Sequence, residues 1–296
     1  MARWFISTRA QSVGGPVGIL RILDADRPGF PGDLTQEFVQ SIRGRELFFG
    51  VHGFNVNQQD GILHLGYWFD KLQIGNALPV GILWPGDCIV PIFVDYVVEG
   101  KEAIQSGDDI ADFLNDNAAG AVSLCFASHS LGARVVLQII SGLNSGFRIR
   151  RTLLMAGAID DDCLTNEYAA AAQKIEQISL LASEKDAVLE LAYPLGNPLQ
   201  GIIDSGHPYW HAALGRGGPA TPYPAALRPN WEIPANLDYG HLDYIPGEPI
   251  PAAFPFPQDI PPDAGPNPPA TTPDALDPPE NWKPAWSAAF ASSRFR

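Results

Sequence analysis

Strand-like apolar runs alternate with helix-like runs through most of this chain, and that alternation restricts the fold more than any other feature. "RELFFGVHGF" is nearly continuous in apolar residues, as a strand buried on both faces has to be. "QQDGILHLGYWFDKLQ" then carries apolar residues at helical spacing, and "LPVGILWPG" is a strand with a Pro-Gly stop. "YVVEGKEAIQSGDDIADFLNDN" reads as a helix weakened by Gly100 and Gly107. The pattern continues with strand "AVSLCFAS", helix "LGARVVLQIISGLNS", strand "RIRRTLLMAGAID", helix "CLTNEYAAAAQKI", strand "QISLLAS" and short helix "DAVLELAYPLG". Strands alternating with helices predict a parallel sheet covered on both faces, with right-handed crossovers. "RWFIST" and "GPVGILRIL", parted by Gly14-Gly15, add a leading hairpin.

From Leu195 the pattern breaks. Residues 195–230 are rich in Gly, Pro and aromatics, as lids and pocket walls are. From Pro246 onward lie 14 of the 28 prolines, which excludes a helix or a central strand there. The extension is read as either a wrap over the domain or a disordered tail, and Phe254, Phe256, Trp282, Trp286 and Phe290 give it apolar anchors that favour at least partial docking. The chain is thus read as one domain, 1–245, with a proline-rich C-terminal extension, 246–296.

Charge narrows the partners. With 19 basic and 33 acidic residues the net charge is −14, which disfavours nucleic acid and anionic membranes. Apolar runs stay short of a membrane span. Met1 to Gln11 carries charges and no apolar core, so a secretory leader is not expected and a cytoplasmic location is. Cys88, Cys125 and Cys163 have no metal-like spacing and read as reduced, buried thiols. Oligomeric state is left open.

Ligands in such sheets sit at the carboxyl ends of the strands, and every chemical motif in this chain falls at one. "ASHSLGARVV", Ala127 to Val136, joins a strand to a helix. A serine nucleophile needs such a sharp turn, with small residues two before and two after so that backbones can approach. Ser128 and Gly132 meet that need around Ser130. The Leu131 N–H, at a helix start, is placed to hold an oxyanion. "VHGFNV" ends an earlier strand. There Gly53 is expected to take an unusual backbone conformation, Phe54 to offer a second oxyanion N–H, and Asn55 to brace the loop.

A base and an acid must follow the serine in the chain. Asp186, in "SLLASEKDAV", stands just past a strand end and is preferred to the Asp160 to Asp162 run, which reads as a solvated turn. Of six histidines, His52 and His129 sit inside the turns and His64 on a predicted helix. His207 and His211 lie in a Gly/Pro-rich loop unsuited to a metal pair. His241, in "NLDYGHLDYI", follows a short β-like run and a Gly and fits the order Ser, Asp, His. His52, Asn55, Tyr67, Trp84, His129, Tyr209 and Trp210 are the substrate-pocket candidates.

These residues resemble an α/β-hydrolase. More narrowly, they are similar to the bacterial α/β-hydrolases of unknown function in "VHGFN", "LWPG", "SHSLG", "SEKDAV", "LGRGG" and "GHLDY". The similarity covers about residues 40 to 245. It implies an α/β-hydrolase fold with a mostly parallel central sheet flanked by helices, and Ser130, Asp186 and His241 as a triad. Serine at position 128 is then a feature that family shares. The expected activity is that of a carboxylesterase working through an acyl-enzyme on a small-molecule ester, with no cofactor and no metal. Amidase or peptidase chemistry on the same triad, or a non-catalytic binding module on the same fold, are the alternatives.

Overall fold

A computed structural model of the chain describes residues 4–10, 17–24, 33–72, 76–86, 92–191, 212–229 and 231–244. Seven strands form one sheet: β1 (Trp4–Arg9), β2 (Val17–Asp24), β3 (Glu46–Val51), β4 (Leu78–Leu83), β5 (Ser123–His129), β6 (Ile149–Met155) and β7 (Ile178–Leu181), in the order β2-β1-β4-β3-β5-β6-β7. β1 and β2 pair antiparallel, as the leading hairpin requires, and every other pairing is parallel. Helices α1 (Thr35–Ile42), α2 (Gln58–Leu72), α3 (Ile92–Asn117), α4 (Gly132–Gly142), α5 (Ala169–Lys174) and α6 (Ala187–Leu191) fill the connections. This is the α/β-hydrolase architecture expected from the sequence.

The continuous apolar runs are the central strands. β5 is buried at all seven positions, and only Glu46 of β3 is not buried. Two cross-strand details set the packing. Gly50 and Gly81 pair across β3 and β4, leaving a trough against which Phe5, Leu65 and Phe69 pack; a methyl group on Gly81 would stand 2.2 Å from Phe5. On alternate positions, and so on the opposite face, Phe49 and Phe126 stack with centroids 5.0 Å apart.

The chain path then places the site. After β3 it steps through α2 to β4 on one side, then doubles back through α3 to β5 on the other side of β3. Right-handed crossovers in opposite senses send α2 to one face and α3 and α4 to the other. The crevice at this reversal, above the carboxyl ends of β3 and β5, is where such sheets bind ligands.

α3 runs 26 residues unbroken through Gly107, whose missing side chain lets α4 approach: a methyl group there would meet Gln138 Cβ at 2.5 Å. Two expectations need correction. Residues 161–168 are turns, so the helix expected from Cys163 begins only at Ala169. The β-like run before His241 is not a strand. It touches the sheet at one isolated bridge, Glu232 to Ala182, with another just before it from Leu227 to Ile178, ahead of a 3-10 turn at Ala235–Leu237. Pro229 and Pro234 lack the N–H groups that a continuous ladder needs.

Cys125 and Cys163 are free and buried, and burial pushes the Cys125 thiol up to about 12. Cys88, residues 195–211 of the long loop and the extension 246–296 lie outside the described residues. No described helix is long and apolar enough to cross a membrane.

Candidate active site

β5 ends at His129, and the chain turns at once into α4 through Ser130 and Leu131. Ser130 holds the left-handed conformation, φ 53°, which turns its side chain away from the ladder. Backbone bonds fix that geometry: Ser130 N–H donates to the Met155 carbonyl at 2.9 Å, and the Ser130 carbonyl accepts from Ala133 at 3.1 Å and Ala158 at 3.2 Å. The small residues around it work as the elbow requires. A methyl group on Gly132 would stand 2.5 Å from the His52 carbonyl oxygen. Ser128, opposite Val51, is fully buried, and its hydroxyl meets no hydrogen-bond partner among the described residues.

The end of β3 closes on the elbow. The left-handed residue in this loop is Asn55, at φ 58°, and not Gly53. Gly53 instead supplies room, since a methyl group there would lie 2.9 Å from Ser130 Cβ and 3.0 Å from His129 Nδ1. The loop is strapped to the end of β4. Asn55 N–H donates to the Gly86 carbonyl at 2.5 Å, and Trp84 Nε1 donates to the His52 carbonyl at 2.9 Å. From β1, Arg9 Nη1 donates to the Trp84 carbonyl at 2.5 Å and to the Val56 carbonyl at 3.1 Å.

Asp186 follows β7 and precedes α6, wholly buried. Its Oδ1 accepts the Leu189 N–H at 2.9 Å, and its Oδ2 accepts the Nδ1–H of His241 at 2.8 Å. With the proton on Nδ1, Nε2 is left as an acceptor, and Ser130 Oγ donates to it at 2.9 Å. Ser130 and Asp186, each after a strand, thus converge with His241 from a later turn. His241 stands in a turn, 241–244, outside any strand or helix.

The remaining candidates fall at different places. His52 is buried and stacks on Trp84, with centroids 5.7 Å apart. Burial, with Arg9 nearby, lowers its pKa to about 3, so the ring is neutral. Trp84 is fully buried, and Phe54 and Asn55 are half-buried. His129 is buried; burial, then the neighbouring His241, lowers it to about 3. Leu131 caps α4. The Tyr67 side chain, Tyr209, Trp210, His207 and His211 lie outside the described residues. Asp160 bridges Ala213 beyond β6, and Asp161 and Asp162 begin the turn after it, all three partly buried.

Sequence reasoning missed the supports. His64 is buried on α2, close enough to act electrostatically on both His52 and His129. Arg9 gave no signal within its own strand. Ser183 lies within the quoted acid-loop motif, yet its bond is long-range: its Oγ donates to the Tyr239 carbonyl at 2.7 Å. Among the described residues, no group of three or more His, Cys, Asp or Glu is arranged to hold a metal ion.

Comparison with known proteins gives one family and one distant structure. No curated protein matches the chain. Among solved structures, phospholipase PlaB from Legionella pneumophila is similar at 18% identity and a TM-score of 0.22, over 59% of this chain and 33% of that one. The chain therefore spans about a third of that protein's length. The family profile described as alpha/beta hydrolase of unknown function (DUF900) matches residues 33–216. The chain belongs to this family of alpha/beta hydrolases.

Proposed function

We propose that the protein is a serine hydrolase that cleaves carboxylic esters of small molecules through an acyl-enzyme. The observation that carries this reading is the hydrogen-bonded line Ser130–His241–Asp186, at 2.9 and 2.8 Å, in the crevice at the chain reversal.

Alone, a serine hydroxyl is a weak nucleophile at neutral pH. Here His241 Nε2 accepts its proton as Oγ attacks the acyl carbonyl. Asp186 stays ionised, holds the imidazole in the required tautomer and stabilises the imidazolium. Negative charge on the former carbonyl oxygen is met by the Leu131 N–H at the start of α4 and the Phe54 N–H of the strapped loop. Collapse of the tetrahedral intermediate breaks the C–O bond, and His241 returns its proton to the departing alkoxide. Water, deprotonated by His241, then attacks the acyl-serine and frees the carboxylic acid and Ser130.

Fluorophosphonate labelling of the full chain tests the reading, beside hydrolysis of p-nitrophenyl esters. Wild type should label and Ser130→Ala should not, with turnover falling by about four powers of ten or more. Equal labelling of the two would refute it.

A further inference from the structure

We propose that His129 is a positioning residue: its imidazole holds the backbone of His241 in line with Ser130 while the bonds at the His241 ring are made and broken. This rests on the reading of Ser130 as nucleophile and His241 as base.

The need follows from where the base sits. No strand or helix carries His241. Its ring is held by Ser130 and Asp186, yet the Ser130 bond is lost once Oγ is acylated. The ring must then reach a leaving group and afterwards a water. Something outside the chemistry therefore has to fix the residue's main chain.

Three bonds do so. Ser183 Oγ grips the Tyr239 carbonyl at 2.7 Å, two residues upstream. Gly240 N–H bonds Asp243 Oδ2 at 2.7 Å, but both ends of that bond lie in the turn itself. His129 reaches the main chain of His241 itself: its Nε2 stands 2.7 Å from the His241 carbonyl oxygen. A carbonyl has no proton to give, so Nε2–H is the donor and the tautomer is settled. His129 is also the residue bonded to Ser130 along the chain. One side chain thus ties the main chain of the base to the residue beside the nucleophile, by a bond that no step of the reaction consumes.

The ring is well placed for this. It is buried, backs onto Gly53, where a methyl group would come within 3.0 Å of Nδ1, and lies near Tyr244, with centroids 6.2 Å apart. Its centroid is 4.8 Å from that of His241. A lysine or arginine donor at that distance would oppose the imidazolium that His241 has to become. Histidine gives the same bond without charge, because burial and His241 itself keep it neutral.

Two variants test the idea, each first checked for a cooperative unfolding transition. His129→Gln offers an amide N–H at similar reach, and His129→Leu fills similar space with no donor. Labelling by a fluorophosphonate and p-nitrophenyl ester kinetics are read for both. His129→Leu should lower kcat and the labelling rate about 100-fold with KM little changed, and His129→Gln should recover most of the loss. If folded His129→Leu matches wild type in kcat and labelling, or if Gln and Leu lose activity equally, the inference is overturned. Loss of Ser130 dependence in the wild type would instead overturn the reading beneath it.

Discussion

Mild acid should destabilise this protein through histidines that cannot take up a proton. His52 and His129 are lowered to about 3 from the ordinary 6.5, in both cases chiefly by burial. In the unfolded chain they titrate at the ordinary value. Below pH 6.5 the unfolded state therefore binds protons that the folded state refuses, and stability falls as pH falls. At pH 5, which is 1.5 units below the ordinary value, each histidine costs about 2 kcal/mol and the pair about 4. The loss continues down to about pH 3, where the folded-state rings protonate. A typical domain has only about 5–15 kcal/mol to lose. Carboxylates act alike in wild type and in a histidine variant, so comparing the two isolates the histidine contribution. Urea unfolding between about pH 7.5 and 5 measures the effect directly. His129→Gln removes one of the two groups and should lose about 2 kcal/mol less than wild type over that range. Constant stability from pH 7.5 to 5, or parallel loss in wild type and variant, would refute the argument.

The other predictions concern the elbow. Ser128→Ala removes a buried hydroxyl with no partner among the described residues, so it should stabilise the fold by about 1–3 kcal/mol in urea unfolding and leave ester hydrolysis intact. Gly53→Ala places a methyl group 2.9 Å from Ser130 Cβ, so kcat should fall about 100-fold in a protein that still unfolds cooperatively.

Local pattern carried the sheet well and the packing poorly. The apolar runs of β3 and β5 declare buried strands because a strand covered on both faces admits few polar residues. Gly107 is ambiguous because a glycine that breaks a helix and one that admits a neighbouring helix look alike until α4 is in place. The need for glycine at position 53 was hidden for the same reason: the tight contact there comes from Ser130, 77 positions away, and cannot be seen within "VHGFN". Ser130 and Asp186 were legible because each directly follows a readable strand. His241 was reached by chain order and elimination, since its turn is anchored by His129 and Ser183 from distant parts of the chain. Arg9 was silent, because its function is to reach carbonyls on β4 and the loop after β3.

The doubling back between β4 and β5 also orders events in time. Strands β1 to β4 come from residues 4–83 and β5 to β7 from residues 123–181, so the crevice is a seam between an early and a late stretch of chain. As synthesis proceeds, the loop after β3 emerges first, Ser130 next, Asp186 later and His241 last. On the mechanism proposed above, Ser130 is an ordinary alcohol until the turn at His241 docks. A growing or half-folded chain would then carry no activated serine, and reactivity would arrive only with the turn at 241–244.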